Sequence, residues 1–204
     1  MEQTRYQPML LAPTDKLPVG EEWAYEPKLN GWRMMAYESP KRWSLITRGG
    51  FDYTTNFAEI AKQLPVALNG SQAVLDGEVV ALDRQRREHR ELLLRPLAAS
   101  IIFYAFDIIE FDDVALVHEP WRNRRQLLKE VVNNQPNVIV VDAYEHTDLE
   151  DLMKAARRKG MEGIVAKRKD SPYQSNSRSK DYWLKYRFPP PSRRSTKATT
   201  SRSR

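Results

Sequence analysis

A lysine lies in a short turn that also contains a glycine and ends at an arginine. The turn reads Lys28-Leu29-Asn30-Gly31-Trp32-Arg33, and Glu26 stands two residues before the lysine. Two more glycines adjoin carboxylates, in Asp76-Gly77-Glu78 and in Glu162-Gly163. An amine and carboxylates that converge in this way could act on a phosphate and bind a divalent cation, since such cations prefer oxygen ligands.

Several other kinds of site are missing from the sequence. It contains no GxxxxGK[ST] phosphate loop, no GxGxxG dinucleotide motif and no GxSxG nucleophile elbow. The absence of cysteine excludes disulfides, thiolate metal sites and cysteine nucleophiles. The histidines at positions 89, 118 and 146 lie far apart and form no HExxH-type pair, so we expect no zinc site.

The elements that must position these residues are mostly short strands. Apolar and aromatic runs bounded by turn residues predict strands over 22–26, 33–37, 43–47, 73–75, 79–82, 101–109, 138–141, 164–166 and 182–186. Helical spacing predicts helices over 56–64, 121–132 and 149–159, and the charged segment 84–95 reads as a loop with a short helix. We therefore predict an α+β fold of mostly antiparallel sheets, in which Lys28 and residues 76–78 occupy turns between neighbouring strands.

Composition divides the chain into a body and a tail. The 204 residues carry a net charge of +6, and 41% are hydrophobic, enough for one domain with its own core. We predict a domain over residues 1–188. The segment 189–204 holds Pro, Ser, Thr and basic residues without a single acid, which predicts a disordered tail. Such a tail could bind DNA, with release of counterions from the DNA. On composition alone, it could equally keep the protein soluble without any specific partner.

No sequence feature indicates a membrane protein. No window approaches the ~20 apolar residues of a membrane span, and the first residues lack the apolar core of a signal peptide. We therefore expect an intracellular protein without a membrane partner.

The motifs together resemble the adenylation (nucleotidyltransferase) domain of ATP-dependent DNA ligases, particularly the compact bacterial and archaeal kind. Residues 28–33 resemble the first motif of that family, KxDGxR, and residues 47–50 its SRxG element. The later elements follow in the order of the family: DGE at 76–78, an aromatic strand ending in Phe-Asp at 103–109, EGxxxK at 162–167, Ser-Pro-Tyr at 171–173 and WxKxK at 183–187. One KxxGxR would be weak, but the ordered set covers the body and implies an ATP-grasp-like fold.

The resemblance implies a reaction that begins at Lys28. Its amine would attack the α-phosphate of ATP, expel pyrophosphate and hold AMP as a phosphoramidate. The AMP would then pass to a DNA 5′-phosphate, and a neighbouring 3′-hydroxyl would displace it to seal the nick. The neutral form of this amine would be favoured by the nearby cations Lys185 and Arg187 and by a bound metal. Lys185 and Arg187 would also neutralise the phosphate oxygens during the transfer.

The resemblance also implies which residues bind the adenine base and the metal. Glu26 would accept from the adenine amino group, with Pro27 beside it, and Phe106 would stack on the base, although a phenylalanine in an apolar run is about as often a core residue. Glu162 would bind Mg²⁺ or Mn²⁺. Glu78 would bond a ribose hydroxyl or support the metal.

Three further cations complete the implied nucleotide site. Arg33 and Arg48 would reach the sugar or the nick phosphate, where a planar guanidinium suits phosphate oxygens. Lys167 would close the phosphate side.

Some features depart from the family. Asn30 stands where the family usually has an aspartate, and this loss of charge predicts slower adenylation. Arg187 replaces the second lysine of the last motif, which keeps the charge but changes the donor geometry. The chain passes into its basic tail where the family normally continues into an OB-fold domain. We therefore expect no OB-fold domain, and either a separate OB-fold or repair protein as partner or incomplete ligase activity.

The sequence leaves alternatives to the leading hypothesis, which is a monomeric, cytoplasmic, nucleoid-associated enzyme acting on nicked double-stranded DNA. Asn30 and the expected lack of an OB fold allow a catalytically reduced nucleotide- or DNA-binding protein. An RNA ligase or a guanylyltransferase of the same superfamily is a third hypothesis.

Overall fold

The computed structural model describes residues 5–39, 42–95 and 100–189. Its strands are β1 (Leu10–Pro13), β2 (Trp23–Pro27), β3 (Trp32–Ser39), β4 (Arg42–Thr47), β5 (Ala73–Leu82), β6 (Ser100–Phe111), β7 (Val114–Ala115), β8 (Val138–Val140), β9 (Gly163–Arg168) and β10 (Arg178–Arg187). Its helices are α1 (Ala58–Ala67), α2 (Trp121–Val131) and α3 (Leu149–Arg158), with 3-10 turns at Arg90–Leu94 and His146–Asp148. The tail predicted for 189–204 falls, beyond Pro189, outside the described residues, and its disorder stays a prediction.

The described strands form two sheets. The first sheet has the order β1-β10-β9-β2, and the second has the order β4-β3-β5-β6-β7, with β8 paired to β6. The β1–β10 and β6–β8 pairs are parallel, while the other pairs are antiparallel. The predicted α+β fold of mostly antiparallel sheets flanked by helices is confirmed.

The segment that contains Lys28 joins the two sheets. It follows β2, which pairs with β9 in the first sheet, and leads into β3, which lies between β4 and β5 in the second. The prediction of a turn between neighbouring strands is therefore wrong. Alternation of apolar and polar residues identifies a strand but says nothing about its partner, and here β2 pairs with β9, far along the chain, instead of with β3.

Residues 76–78 lie inside one continuous strand, β5, so the prediction of a turn there is also wrong. Asp76 is fully buried within this strand, where it forms an ion pair with Arg33. Gly77 is required because a Cβ atom there would lie 2.5 Å from the ring of Phe103 on β6. Because Asp76 pairs with Arg33 and Gly77 lies against Phe103, residues 76–78 continue the strand and do not form the turn that an Asp-Gly sequence predicts.

The core joins both sheets and the helices. α1 packs on the second sheet through Ile60 and Leu64, and α3 packs on the first sheet through Leu152 and Ala156. Between the sheets, a buried cluster includes Met9, Met35, Phe106, Trp121, Tyr173 and Trp183. None of the helices in the described ranges combines the length and the apolar character needed to cross a bilayer.

Candidate active site

Lys28 and Glu162 meet where the two sheets are joined. The Lys28 ammonium donates to the Glu162 carboxylate and also approaches the Leu29 carbonyl at 3.4 Å. The backbone N–H of Lys28 donates to the carbonyl of Gly163 at 3.0 Å, which ties the connecting loop to the start of β9. The Lys28 side chain is only 13% exposed, against 34% for Glu162. The structure therefore brings together the predicted nucleophile and the predicted metal ligand.

Two further carboxylates hold the residues that follow Lys28. Glu78 accepts the N–H of Gly31, and Glu88 accepts the N–H of Asn30, each at 2.8 Å. Burial raises the pKa of both carboxyl groups, although these hydrogen bonds oppose the shift. Glu88 was missed by sequence analysis, because it lies in the charged 84–95 segment outside every motif.

Glu26, Lys167 and Phe106 form a buried group beside this loop. Lys167 lies 2.8 Å from a Glu26 carboxylate oxygen and donates to the Phe106 carbonyl at 3.2 Å. Its ammonium is also 4.4 Å from the centroid of the Phe106 ring and 4.3 Å from that of Trp183. Burial lowers the pKa of Lys167, while the charge of Glu26 opposes this shift. Lys167 therefore lies with the residues that the resemblance assigns to adenine.

The guanidinium group of Arg33 forms an ion pair inside the protein, with the carboxylate of Asp76. Its Nε and Nη2 atoms each donate to Asp76 at 2.5 Å, and its guanidinium carbon lies 4.5 Å from the Phe106 ring centroid. Tyr173 donates to the same carboxylate at 2.6 Å. Burial disfavours the Arg33 charge, but Asp76 outweighs it and raises the pKa of Arg33. Sequence analysis missed the roles of Asp76 and Tyr173, because only the fold brings β3, β5 and Tyr173 together.

A small cavity lies among these groups. Its volume is about 50 Å³. The lining includes Glu26, Pro27, Lys28, Arg33, Glu78, Phe106, Lys167 and Trp183. Pockets for ligands of nucleotide size commonly measure about 300–1,000 Å³, so a bound nucleotide would need more space than this cavity alone provides. A base that stacks on Phe106 would compete with Arg33 and Lys167 for the faces of the ring.

The last strand places two predicted cations near the loop. In the β9–β10 register, Lys185 lies opposite Val165 and Arg187 opposite Gly163. Nη2 of Arg187 is accordingly 4.0 Å from a Glu162 oxygen. Burial lowers the pKa of Lys185, and the nearby charges of Arg187 and Arg178 lower it further.

Arg48 lines a second, more open cavity of about 420 Å³, and Glu78 lines both cavities. This cavity is also lined by Gly31, Phe51 and Arg90. Arg48 and Arg90 are exposed there, and Phe51 is 69% exposed. Exposed guanidinium groups beside an exposed ring are a combination that suits nucleic acid.

The carboxylates of the site suit a magnesium ion that is shared with phosphate. No group of three or more acidic or histidine side chains in the described ranges is arranged to hold a metal by itself. Mg²⁺ normally uses only one or two carboxylates, together with substrate phosphates and water. Glu162 and Glu78 match that need in chemistry.

Comparisons with known proteins identify the family of the chain. The sequence model of the ATP dependent DNA ligase domain matches residues 8–187. The chain is 34% identical over 187 residues to the multifunctional non-homologous end joining protein LigD of Pseudomonas aeruginosa, covering 87% of this chain and 21% of LigD. It is 32% identical over 193 residues to DNA ligase C1 of Mycolicibacterium smegmatis, covering 86% of this chain and 55% of that protein.

A solved structure of a DNA ligase has a similar fold. Mycobacterial DNA ligase D complexed with ATP and MES superposes with a TM-score of 0.75 at 27% identity, covering 92% of this chain and 62% of that one. The chain thus corresponds to about a fifth of LigD and about half of DNA ligase C1. The matched sequence model spans both sheets and the whole Lys28 site, and the chain therefore belongs to the ATP-dependent DNA ligase domain family.

Proposed function

We propose that this chain transfers AMP from ATP to its own Lys28 and then to a DNA 5′-phosphate, as the first steps of nick joining. The Nζ atom of Lys28 forms a bond to the α-phosphorus, the bond to the β-phosphate oxygen breaks, and pyrophosphate leaves. The observation that carries this proposal is the position of Lys28, which is held by Glu162 at the edge of a cavity lined by Glu26 and Phe106.

The nucleophile must lose a proton before it attacks. The Lys28 amine must also leave its ion pair with Glu162 before it attacks. Mg²⁺, when bound, neutralises phosphate charge and orients the oxygens. Glu162 would help to hold Mg²⁺, and the neighbouring cations Lys185 and Arg187 would neutralise phosphate oxygens during the transfer.

The remaining residues would bind the nucleotide and the DNA. We propose that Glu26 accepts from the adenine amino group, beside Pro27, and that Phe106 stacks on the base. Glu78 would bind ribose or assist the metal, while Lys167 would stay paired with Glu26 and fix its orientation.

The DNA would lie on the open side of the site. We propose that Arg48, in the 420 Å³ cavity, contacts the nick phosphate. Arg33 would act indirectly on nucleotide binding, because it donates a hydrogen bond to Asp76 and packs against the Phe106 ring. Nicked double-stranded DNA is thus the proposed substrate. A cytoplasmic location beside the nucleoid follows from this role and remains part of the proposal.

Incubation with α-labelled ATP and Mg²⁺ tests the proposal. We expect a covalent, acid-labile label on the wild type and on Lys62→Ala, whose lysine is 70% exposed on α1. We expect no label on Lys28→Ala. Addition of nicked DNA should move the label to the DNA 5′ end. Label that persists in Lys28→Ala would refute the assignment of the nucleophile, and preference for GTP or for nicked RNA would favour the other branches of the superfamily.

A further inference from the structure

We propose that Glu88 is a positioning residue that holds the Lys28 loop in its reactive conformation. This inference rests on the proposed function, because it assigns a role in the same reaction. It starts from one contact, the hydrogen bond of 2.8 Å from the backbone N–H of Asn30 to Oε2 of Glu88.

Backbone contacts with the end of β5 position the segment that contains Glu88. Leu82, at the end of β5, forms a β-bridge with Glu88, and the N–H of His89 donates to the carbonyl of Ala81 at 2.9 Å. Asp83 closes the return of the chain by accepting the N–H of Arg87 at 2.9 Å. Glu88 is therefore presented to the Lys28 loop by an ordered hairpin.

Glu88 and Glu78 together hold two consecutive amides of the loop. Glu78, also on β5, accepts the N–H of Gly31. The loop leaves the first sheet at Lys28, so these bonds attach it to the second sheet immediately after the nucleophile. A charged acceptor makes a stronger hydrogen bond to a backbone N–H than a neutral one. Loss of the Glu88 bond frees the residue two positions after Lys28.

The electrostatics of Glu88 agree with this location. Burial raises its pKa, and the charges of Glu78 and Glu162 raise it further, while the charge of Lys28 lowers it. Glu88 therefore interacts electrostatically with Lys28 and with the carboxylates Glu78 and Glu162. It also lines a neighbouring cavity of about 260 Å³ together with Pro27 and Leu29.

Three variants of the full chain separate positioning from a general structural effect. Glu88→Ala removes the acceptor, Glu88→Gln keeps a neutral acceptor oxygen, and Glu91→Ala is the control, because Glu91 is exposed in the same segment and contacts His89. We expect Glu88→Ala to form the Lys28 adduct about tenfold more slowly at saturating ATP, with an unchanged half-saturating ATP concentration. Glu88→Gln should recover most of the rate, and Glu91→Ala should match the wild type.

Hydrogen exchange at the Asn30 amide provides a readout that does not depend on activity. It should be about tenfold faster in Glu88→Ala and unchanged in Glu91→Ala. Unchanged exchange in Glu88→Ala, a wild-type adduct rate in that variant, or a Glu88→Gln rate as low as that of Glu88→Ala would each overturn the proposal. If the wild type itself forms no adduct, the proposed function fails, and the exchange result alone decides whether Glu88 holds the loop.

Discussion

At the scale of single residues, the site consists of charges that satisfy one another inside the protein. Arg33 is held by Asp76, Lys167 by Glu26, and Lys28 by Glu162. The Arg33–Asp76 and Lys167–Glu26 pairs are buried and costly to break, because removing one partner leaves an uncompensated charge. We therefore expect substitutions of Asp76 or Glu26 to affect folding as well as nucleotide binding.

Tyr173 gives a test of this buried charge network. Its hydroxyl donates to Asp76, and burial together with the Asp76 charge raises its pKa well above 10. A raised folded-state pKa stabilises the fold fully below the unfolded value of 10, and this contribution is lost as pH rises through the folded value. We expect Tyr173→Phe to lower the free energy of unfolding by about 2 kcal/mol at pH 7, with a smaller deficit above pH 10.

Urea unfolding at the two pH values measures this difference. Tyr182→Phe is the control for loss of a tyrosine hydroxyl, because Tyr182 is only partly buried against the same cluster, and it should lower the free energy of unfolding at pH 7 by less than Tyr173→Phe. A Tyr173→Phe deficit that stays constant or grows above pH 10 would contradict the raised pKa.

At the scale of elements, the reactive loop depends on strands that approach very closely. A Cβ atom at Gly163 would lie 1.9 Å from the carbonyl oxygen of Tyr186 on β10. Gly163 also accepts the N–H of Lys28 and directly follows Glu162. This one glycine therefore connects the β9–β10 pair to both reacting side chains.

Gly163→Ala tests this connection. We expect the added methyl to separate β9 from β10 and to lower the free energy of unfolding by about 1–3 kcal/mol. We also expect a slower Lys28 adduct, because Glu162 moves with β9. A variant with the unfolding midpoint and adduct rate of the wild type would show that the strands tolerate the methyl.

Sequence patterns predicted most of these elements, but not their partners. The long apolar run in β6 and the periodic helices α2 and α3 were predicted close to their observed limits. β1 was missed, because four residues ending in a proline give little pattern, and its partner β10 lies far along the chain. The predicted turn at Asp76 was wrong because the pairing of its carboxylate with Arg33 depends on tertiary contact.

The same division applies to the site. Motif resemblance predicted Lys28, Glu162 and Glu78, which the fold brings to one loop. It gave no sign of Glu88 and no role for Tyr173, although Tyr173 belongs to the Ser-Pro-Tyr element, because their contacts connect segments that are close only after the sheets have formed. The role of Phe106 in stacking stays a prediction. Its ring belongs to the core between the sheets and also lines the cavity, so both hypotheses from the sequence fit.

At the scale of the whole molecule, the basic tail is the part with the most uneven charge. Residues 189–204 contain Arg193, Arg194, Lys197, Arg202 and Arg204, and no acid. We expect deletion of residues 189–204 to weaken binding to duplex DNA and to reduce the slope of log affinity against log salt concentration, because fewer counterions are released. Lys28 adduct formation, which needs no DNA, should be unchanged.

Fluorescence anisotropy over a range of salt concentrations measures this effect. A chain with these basic residues replaced by serine should behave like the deletion. Equal affinity and equal slope for the deleted and full chains would leave the tail only a solubilising role.

The central claim is that the Lys28 amine forms a covalent bond to the phosphorus of AMP. Mass spectrometry of the protein after incubation with ATP and Mg²⁺, followed by peptide mapping, tests it most directly. We predict a gain of one adenylyl group per chain, located on Lys28 and absent from Lys28→Ala. An unmodified chain, or an adenylyl group on another residue, would contradict the account.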